Sequence, residues 1–481
     1  MVMYEKLREK RDISLSGPQS LPSSNTPASD RHTLEDDRLR CRRYGLLDGA
    51  SQAVTQGSGE HYLSAFALLL HAGPLQLGIL SALPQLIGTT AQLASMKLLR
   101  RFPDRKSLVR LGTIGQALSW IPILILPLAF PVWGPWLLIM GAAMYFSCNH
   151  FTAPTWTSFI ADHLDQHERG AYFARRALIV ATVSFGALCA AGGLLSLWPP
   201  RTAWVGFVLV FLAAGTARLF SAFALRPVPD LPHREPRSGH EGFRAFLRRS
   251  SRSFRRFLLF SSLMHLAVLV AGPYFVLYML RDLHFSYLDY GGWLAAGVLG
   301  QLLTLQGWGR FADRFGNKAL LSITGFIVPV LPMFYLLTTS ALFMMGVNFF
   351  SGMIWAGLAL GLQNYVFDAV PDEDRATGFA VYSTVNAVGW CCGALLGSWL
   401  IAALPSRFEW AGLSLGSSLP IVFFLSGVLR LVISIGLIGR FHEPRTVEQA
   451  QLSRLMLELP LLKPMRQVRQ WVASPLLRLG R

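Results

Sequence analysis

Charged residues are scarce in this chain. Only 15% of its 481 residues are Asp, Glu, Lys or Arg, whereas an ordinary soluble domain carries about 25%. Hydrophobic residues make up 52% of the chain, so a water-soluble fold of this composition would be short of surface charge. The composition excludes the disordered and collagen-like classes and leaves a protein that crosses a membrane many times.

Cysteine is also rare. The chain has five cysteines, and none has CxxC or Cys/His spacing. Four of the five lie inside apolar runs, where a cysteine acts as a small packing residue. We therefore predict no disulfide framework and no metal site.

Motifs that define other functional classes are missing. The chain has no GxxxxGK[ST] phosphate loop, which argues against an ATP-driven pump. It also has no HExxH sequence, no haem motif and no plausible Ser/His/Asp arrangement in a soluble domain, so we predict neither an enzyme nor a cofactor. The first 45 residues are polar and mixed in charge, and no cleavable signal is expected there.

Long apolar runs are the feature that the chain has in abundance. A spanning helix needs about 20 mostly apolar residues, and twelve runs of this kind can be placed between charges, prolines and glycines. The predicted spans are roughly 46–71, 75–97, 107–127, 133–160, 171–197, 202–225, 257–281, 287–309, 319–338, 341–367, 378–404 and 415–439.

The spans divide into two sets of six. We predict an all-α membrane protein with an N-terminal six-helix half at 46–225 and a C-terminal six-helix half at 257–440. A polar tail (1–45), a basic linker (226–256) and a C-terminal tail (441–481) lie outside the two halves.

The distribution of Lys and Arg predicts the orientation. Of the 44 basic residues, 39 fall on the side that holds both tails and the linker, and three fall in the loops on the other side. By the positive-inside rule both termini are cytoplasmic, in the cytoplasmic (inner) membrane. Membrane topology thus explains most of the net charge of +17, and we expect no nucleic-acid partner.

The linker stretch 241–257 mixes phenylalanines with arginines. One interpretation is an interfacial helix that contacts the headgroups of membrane lipids. A solvated basic linker is the alternative, and the residues leave both open.

The two halves resemble each other in sequence, at offsets of 209, 206 and 212 residues. Three sets of residues recur in the same order and in the same place of each half, which indicates duplication. Arg101–Arg105 recurs as Arg310–Arg314, Asp162, Arg169 and Phe173 recur as Asp368, Arg375 and Phe379, and Gly215, Arg218 and Leu219 recur as Gly427, Arg430 and Leu431. Two parallel six-span halves are typical of transporters that work by alternating access.

One segment of the repeat carries a family resemblance. Residues 308–318, WGRFADRFGNK, resemble the G-x-x-x-D-R-x-G-x-[KR] loop signature of the major facilitator superfamily. The first copy, RRFPDRK at 100–106, lacks both glycines. The resemblance covers roughly 46–440 and implies that family's fold, with spans 1, 4, 7 and 10 around a central cavity, in a permease of prokaryotic type.

The charges at the cytoplasmic loops predict a gate. Opposite charges at loop corners can join the halves when the inner side closes and separate when it opens. The alternative is that they are only topology charges and helix caps. The predicted gate residues are Asp104, Arg105, Asp162, Arg169, Asp313, Arg310, Arg314, Asp368 and Arg375.

Glu60 is the leading candidate for proton coupling. It lies near the middle of span 1, with Gln56 one turn before it and His61 beside it. A carboxyl group in a low-dielectric site binds a proton more readily than in water. A structural Glu that pairs with a neighbouring helix is the competing interpretation.

Span 4 offers Asn149 and His150 at its centre. Because the resemblance implies that spans 1 and 4 share the cavity, His150 is expected to face Glu60, although a satisfied packing histidine is the alternative. Weaker cavity candidates, for which core packing is the other explanation, are His265, Tyr274, Asn348 and Trp355.

Three further charged residues are predicted to be structural. Arg218 and Arg430 occupy equivalent places late in spans 6 and 12, where snorkelling to the headgroups is expected. Asp48 is predicted to cap the first helix.

Together these features predict a secondary active transporter that moves a small solute across the cytoplasmic membrane, with protons as the expected coupling ion. We expect it to work as a monomer among membrane lipids. The alternatives are an uncoupled facilitator of the same fold and a lipid-handling or sensory membrane protein.

Overall fold

The structure is a computed structural model, and eight of its helical segments are long and apolar enough to cross a membrane. Helix occupies all twelve predicted ranges, which confirms the predicted all-α membrane fold. The residues described are 28–98, 105–164, 166–229, 243–371, 374–405, 408–410, 413–415, 417–447 and 460.

The N-terminal half holds spans 1 to 6. Span 1 combines the end of α1 with two short turns and α2, span 3 combines α4 and α5, and α3, α6, α7 and α8 form spans 2, 4, 5 and 6. The elements are α1 (Ala28–Val54), a π-helical turn (Thr55–Gly59), a 3-10 turn (Glu60–Tyr62), α2 (Leu63–Leu69), α3 (Pro74–Leu98), α4 (Arg105–Leu118), α5 (Trp120–Ala129), a 3-10 turn (Pro131–Trp133), α6 (Gly134–Ala161), α7 (Gln166–Leu195), a 3-10 turn (Pro200–Thr202) and α8 (Ala203–Ala224).

The C-terminal half repeats this order after a short linker helix, α9. Span 7 runs from α10 to a π-helical turn, span 9 joins α13 to a 3-10 turn, and α12, α14, α15 and α16 form spans 8, 10, 11 and 12. The elements are α9 (Phe243–Arg249), α10 (Arg252–Leu269), a 3-10 turn (Gly272–Tyr274), α11 (Phe275–Leu277), a π-helical turn (Tyr278–Asp282), α12 (Tyr287–Phe315), α13 (Asn317–Ile327), a 3-10 turn (Leu331–Leu336), α14 (Ala341–Ala369), α15 (Arg375–Ala403), strands β1 (Phe408–Trp410) and β2 (Leu413–Leu415), α16 (Leu419–Leu437) and a 3-10 turn (Ile438–Arg440).

Sequence analysis did not predict the two-stranded hairpin that lies between spans 11 and 12. Its strands are antiparallel, with Phe408 opposite Leu415. It adds a small cap to an otherwise helical bundle.

The halves repeat in backbone detail as well as in sequence. Spans 1 and 7 both break into π-helical and 3-10 turns, and spans 3 and 9 both interrupt their first helix, after Leu118 and Ile327. His71 follows span 1 and His284 follows span 7, and both have positive φ, 60° and 54°. These matches support the duplication inferred from the residues.

The break in span 1 follows from its local sequence, TQGSG. Glycine lowers helix stability by about 1 kcal/mol relative to alanine, and two glycines fall within these five residues. A Cβ at Gly57 would lie 2.2 Å from the main-chain oxygen of Ser184 in span 5. Spans 1 and 5 therefore approach each other at a point where only glycine fits.

We call the end of the bundle at Arg105, Arg310 and Arg445 the basic end, and the opposite end, at Gly192 and Gly291, the closed end. Extensive contact between the halves joins span 2 to span 11 and span 5 to span 8. Gly192 of span 5 and Gly291 of span 8 meet so closely that a Cβ on Gly192 would lie 3.3 Å from the Gly291 Cα. The ring of Tyr62 meets that of Tyr290 edge-on, with centroids 6.1 Å apart. The closed end is therefore sealed by backbone and aromatic contacts between the halves.

The apolar cores follow the same division. At the closed end one core runs through both halves, from Phe66 and Phe207 to Tyr274 and Phe423. Toward the basic end a second core, around Trp308, belongs to the C-terminal half alone. A small third core near the basic end lies within the N-terminal half.

Three phenylalanines of the stretch 241–257, in α9 and at the start of α10, face the protein core and not the lipid. Phe246, Phe254 and Phe257 are buried in the core of the C-terminal half, with the rings of Phe246 and Phe254 6.1 Å apart. The exposed residues of this stretch include Arg248 and Arg255. An interfacial helix with these three rings in the lipid is therefore the wrong interpretation.

Candidate functional site

Glu60 lies at the break in span 1, in the first position of the 3-10 turn. Its side chain is partly exposed, and its Oε1 accepts a hydrogen bond of 2.5 Å from the hydroxyl of Tyr145 in span 4. Tyr145 itself is fully buried against Trp120, with ring centroids 5.0 Å apart. Packing against Trp120 therefore holds the Tyr145 hydroxyl in place, and its hydrogen bond orients the carboxylate of Glu60. Sequence analysis missed Tyr145. It lies in a run of mostly apolar residues, where an aromatic side chain is usually a packing residue.

The next member of the site is Arg218 of span 6. The residue is 3% exposed, and its guanidinium interacts electrostatically with Glu60. Its Nε donates a 2.5 Å hydrogen bond to Oε1 of Gln116, a fully buried residue of span 3. The predicted snorkelling of Arg218 to the headgroups was wrong. Its side chain points into the helix bundle because Gln116 and Asp48 provide acceptors there.

Asp48 extends the network toward the basic end. It is 1% exposed, lies in the interior of α1 and does not cap that helix, so the predicted capping role was wrong. Its Oδ1 accepts a 2.5 Å hydrogen bond from Ser221 and lies 3.7 Å from Nη1 of Arg218. Its Oδ2 lies 3.4 Å from Nη2 of Arg176 in span 5. Arg176 also donates to Gln52 of span 1 at 3.4 Å.

These residues form one buried polar network through the N-terminal half. Two carboxylates and two guanidinium groups alternate along it, so the charges of Glu60, Asp48, Arg176 and Arg218 sum to zero. Paired charges lose much less on burial than single ones. Glu60, at one end of the network, is partly exposed, which leaves one carboxylate available to a solute or a proton.

The predicted neighbours of Glu60 are placed differently. Gln56 and His61, its neighbours along span 1, are partly exposed, and so is Asn149 in span 4. The Nε2 of His150 shares a 2.9 Å hydrogen bond with Oε1 of Gln85 in span 2. A Cβ on Gly88 of the same helix would lie 2.5 Å from the His150 ring. The structure thus brings Tyr145 to Glu60 and packs His150 against span 2.

In span 7, His265 contacts its own helix and span 11. Its Nδ1 donates to the main-chain oxygen of Ser261 at 2.8 Å, and its ring lies 5.7 Å from that of Trp390. Tyr274 is fully buried, and its hydroxyl donates to the main-chain oxygen of Ala394 at 2.6 Å. Tyr274 thus belongs to the seal at the closed end.

In span 10, the side chain of Asn348 donates to the main-chain oxygen of Trp293 in span 8 at 2.6 Å. Trp355 packs partly buried against the core of the C-terminal half. Neither contact reaches the network around Glu60.

The repeat equivalent of Arg218 has a different environment. Arg430 is 3% exposed, and its guanidinium donates to main-chain oxygens of Val328 at 3.3 Å and Val268 at 3.5 Å. Both oxygens lie where a helix of the C-terminal half breaks, and helix C-termini favour cations. Snorkelling is therefore wrong for Arg430 too, but here helix ends take the place of carboxylates.

Gate charges lie at the basic end, with contacts inside each half. Arg105 forms an ion pair of 2.6 Å with Asp162. Asp368 forms an ion pair of 3.0 Å with Arg445 of the C-terminal segment, a residue that sequence analysis did not consider. Of the remaining predicted members, Arg310, Asp313 and Arg314 are exposed, Arg375 donates to the main-chain oxygen of Phe367, Asp104 lies outside the described residues, and nothing is described of the Arg169 side chain.

Comparison with known proteins gives a consistent picture. The sequence profile of the Major Facilitator Superfamily matches residues 51–270 and again residues 257–477. A probable peptide/nitrate transporter of Arabidopsis thaliana is 29% identical over 134 residues, which is 27% of this chain and 27% of that protein.

Three solved structures share the fold. A bacterial homologue of the iron transporter ferroportin, in an inward-facing state, has a TM-score of 0.64 at 15% identity, covering 83% of this chain and 98% of that one. The nucleoside transporter NupG has a TM-score of 0.62 at 11% identity (84% and 98% covered). A D-xylose-proton symporter has a TM-score of 0.59 at 13% identity (85% and 99% covered).

Proposed function

The chain belongs to the Major Facilitator Superfamily of membrane transporters, and on that premise we propose that it is a secondary active carrier of a small solute, coupled to protons through Glu60. It works by alternating access, as a monomer, in the cytoplasmic membrane. Both termini and the basic end face the cytoplasm, and the two working units are the halves at 46–225 and 257–440.

The observation that carries the coupling proposal is the position of Glu60. The carboxylate lies at a helix break near the middle of span 1, partly exposed and held by Tyr145. Broken helices at membrane depth are where carriers of this architecture place their substrate and ion sites. Protonation removes the charge of Glu60 and leaves Arg218 to Asp48 alone, so proton binding changes the forces within one half of the carrier.

The arrangement of the halves supports alternating access. The halves meet at the closed end, while gate ion pairs at the basic end lie within each half. With the basic end in the cytoplasm, this is the state that is open to the cytoplasm. Exchange with the opposite state would break the seal at Gly192 and Gly291 and bring the gate charges of the two halves together.

An uncoupled facilitator is the competing function. In that case the Tyr145 hydrogen bond would only satisfy a structural carboxylate, and Glu60 would not release its proton during transport. The two functions differ in one measurable respect, which is whether solute movement carries protons.

Proteoliposomes loaded with a pH-sensitive dye provide the test. Pooled amino acids, sugars, organic ions and drug-like cations are added in turn to wild type and to Glu60→Gln. The control is Asp289→Asn, the same carboxyl-to-amide change at a partly exposed residue in the first turn of α12. We expect at least one pool to acidify or alkalinise the lumen in wild type and in the control, and not in Glu60→Gln.

If Glu60→Gln keeps the proton flux, Glu60 is not the coupling residue. If a pool exchanges in radiolabel counterflow without any proton flux in wild type, the protein is a facilitator. Lipid translocation without movement of any soluble solute would favour the lipid-handling alternative.

A further inference from the structure

Asp368 at the basic end of span 10 is held by one residue of its own half, Asn317, and by one residue from beyond span 12, Arg445. Its Oδ2 accepts a 2.5 Å hydrogen bond from the side chain of Asn317 and lies 3.0 Å from Nε of Arg445. Arg445 also donates from Nη2 to the main-chain oxygen of Ala312, at the end of α12. One arginine of the C-terminal segment thus ties the end of span 10 to the loop between spans 8 and 9.

We call residues 440–447 the strap, because they lie across this end of the C-terminal half. Phe441 is fully buried, with its ring 5.3 Å from that of Tyr365 and 5.5 Å from that of Phe260. The main chain of His442 accepts from the Tyr365 hydroxyl at 2.7 Å, and its N–H donates to Ser253 Oγ at 2.8 Å. The base of the strap is therefore fixed to spans 7 and 10.

The next residue of the strap engages the loop itself. The carboxylate of Glu443 accepts the main-chain N–H of Lys318 at 2.7 Å. It lies against Gly316, where an added Cβ would be 2.4 Å from Oε2 and where φ is +88°. Gly316 belongs to the 308–318 signature, so the strap covers the segment that carries the family resemblance.

In the N-terminal half, the acid equivalent to Asp368 pairs with an arginine of the same half. Asp162, the repeat equivalent of Asp368, pairs with Arg105 at 2.6 Å. The equivalent of Arg105 is Arg314, whose guanidinium lies over the ring of Phe315, 5.0 Å from its centroid. In the C-terminal half, therefore, Arg445 occupies the place that the repeat assigns to Arg314.

We propose that the strap is a working part of the gate at the basic end, with Arg445 as the positioning residue that holds Asp368 within its own half while that end is open. The inference rests on the proposed alternating access. While the strap is bound, Asp368 and the 312–318 segment are engaged within the C-terminal half. When the ion pair between Arg445 and Asp368 breaks, Asp368 and the 312–318 segment become available to the N-terminal half.

The proposal predicts a shift in the balance between the two states. Arg445→Gln removes the charge that holds Asp368, so the state with the basic end open loses stability relative to the other. A charge-assisted pair that is partly exposed is weak to moderate in strength, and we expect the ratio of basic-end-closed to basic-end-open molecules to rise about threefold to tenfold.

Distances between spin labels measure this ratio without substrate. Labels are placed at Ala174 of span 5 and at Ala245 of the linker helix α9, in a background without native cysteines; both are exposed, and α9 packs through Phe246 against the core of the C-terminal half. Double electron–electron resonance then gives the fraction of short distances. The matched control is Arg440→Gln, which removes an exposed arginine from the same strap.

Three further variants sharpen the test. Asp368→Asn removes the partner of Arg445, so adding Arg445→Gln to Asp368→Asn should cause no further shift, and Arg445→Lys should shift the distribution less than Arg445→Gln. If Arg445→Gln does not fold, Arg445→Lys carries the test, since it keeps the charge but loses the contact geometry. Unchanged distances in the Arg445 variants, an equal shift in Arg440→Gln, or an undiminished effect of Arg445→Gln in the Asp368→Asn background would overturn the proposal.

The readout needs neither a solute nor a proton gradient. A failure of proton coupling at Glu60 therefore leaves the distance result interpretable. Conversely, a strap with no effect on the distances leaves the coupling proposal intact.

Discussion

We predict that a single methyl group added at Gly291 weakens the contact between the halves at the closed end. In Gly291→Ala the new Cβ would lie 2.7 Å from the hydroxyl of Tyr62 and 3.1 Å from the Cα of Gly192. Both neighbours belong to the opposite half, so the clash exists only while the closed end is closed. Overpacking of this kind costs about 1–3 kcal/mol, which changes the ratio of closed to open molecules by about 5- to 150-fold.

The adjacent glycine provides a matched control. In Gly292→Ala the new Cβ would meet the end of the Met345 side chain, 2.9 Å from its Cε, within the same half. Methionine is flexible and can move aside. Both substitutions lie in α12 and gain the same helix propensity, so the difference between them isolates the contact between halves.

Spin labels at Val132 and Leu342 report on the closed end. The two residues are 89% and 79% exposed and lie in opposite halves. We expect a population of longer distances to grow in Gly291→Ala and not in Gly292→Ala. Adding Tyr62→Phe should restore part of the short distances, because it removes the nearer of the two clashing atoms. Identical distributions for the two alanine variants would refute the assigned role of this contact.

Three other predictions test separate parts of the structure. Asp48→Asn leaves Arg218 with a buried charge that has lost a partner, so we expect the free energy of unfolding to fall by about 3–5 kcal/mol in denaturant titrations; a loss below about 1 kcal/mol would contradict the network. Gly316→Ala forces a side chain into a positive-φ backbone and should lower stability by about 1–3 kcal/mol, seen as a lower melting temperature. Burial raises the pKa of the Cys41 thiol to about 12, so below that pH it lacks the reactive thiolate. After maleimide treatment at pH 8, mass spectrometry should find Cys41 unmodified while a cysteine introduced at the exposed Ala245 of α9 reacts.

The fold was largely predictable from the sequence, because long apolar runs and a three-part repeat are local signals. The kinks in spans 1 and 7 were less visible, since glycine and polar residues are common in transporter helices. Glu60 stood out as an acid within an apolar stretch, and the structure places it at the centre of a polar network.

The partners of Glu60 could not be predicted in the same way. Tyr145 and Gln116 lie on spans 4 and 3, and their meeting with Arg218 depends on how three helices are rotated about their axes. Hydropathy records the depth of a residue but not the direction in which it points. For that reason Arg218 was assigned to the headgroups, although it lies 3% exposed inside the bundle.

The gate shows a second limit. Sequence analysis predicted loop charges that join the two halves, whereas Asp162 pairs with Arg105 within its own half. For Asp368 the partner comes from beyond the last span, where the repeat has no counterpart. The one signal that sequence could have offered is the pair of charges at Glu443 and Arg445, directly after span 12.

The two buried arginines also bear on how the chain enters the bilayer during synthesis. An arginine at the centre of a span costs about 2.5–3.5 kcal/mol at insertion. Asp48, the partner of Arg218, precedes span 6 in the sequence and is therefore synthesised first. Arg430 has main-chain oxygens as its partners, and its span has a mean hydropathy of 2.5 against 1.9 for span 6. The greater apolar character of span 12 offsets the cost, so polar substitutions there should reduce the amount of inserted protein before they affect any step of transport.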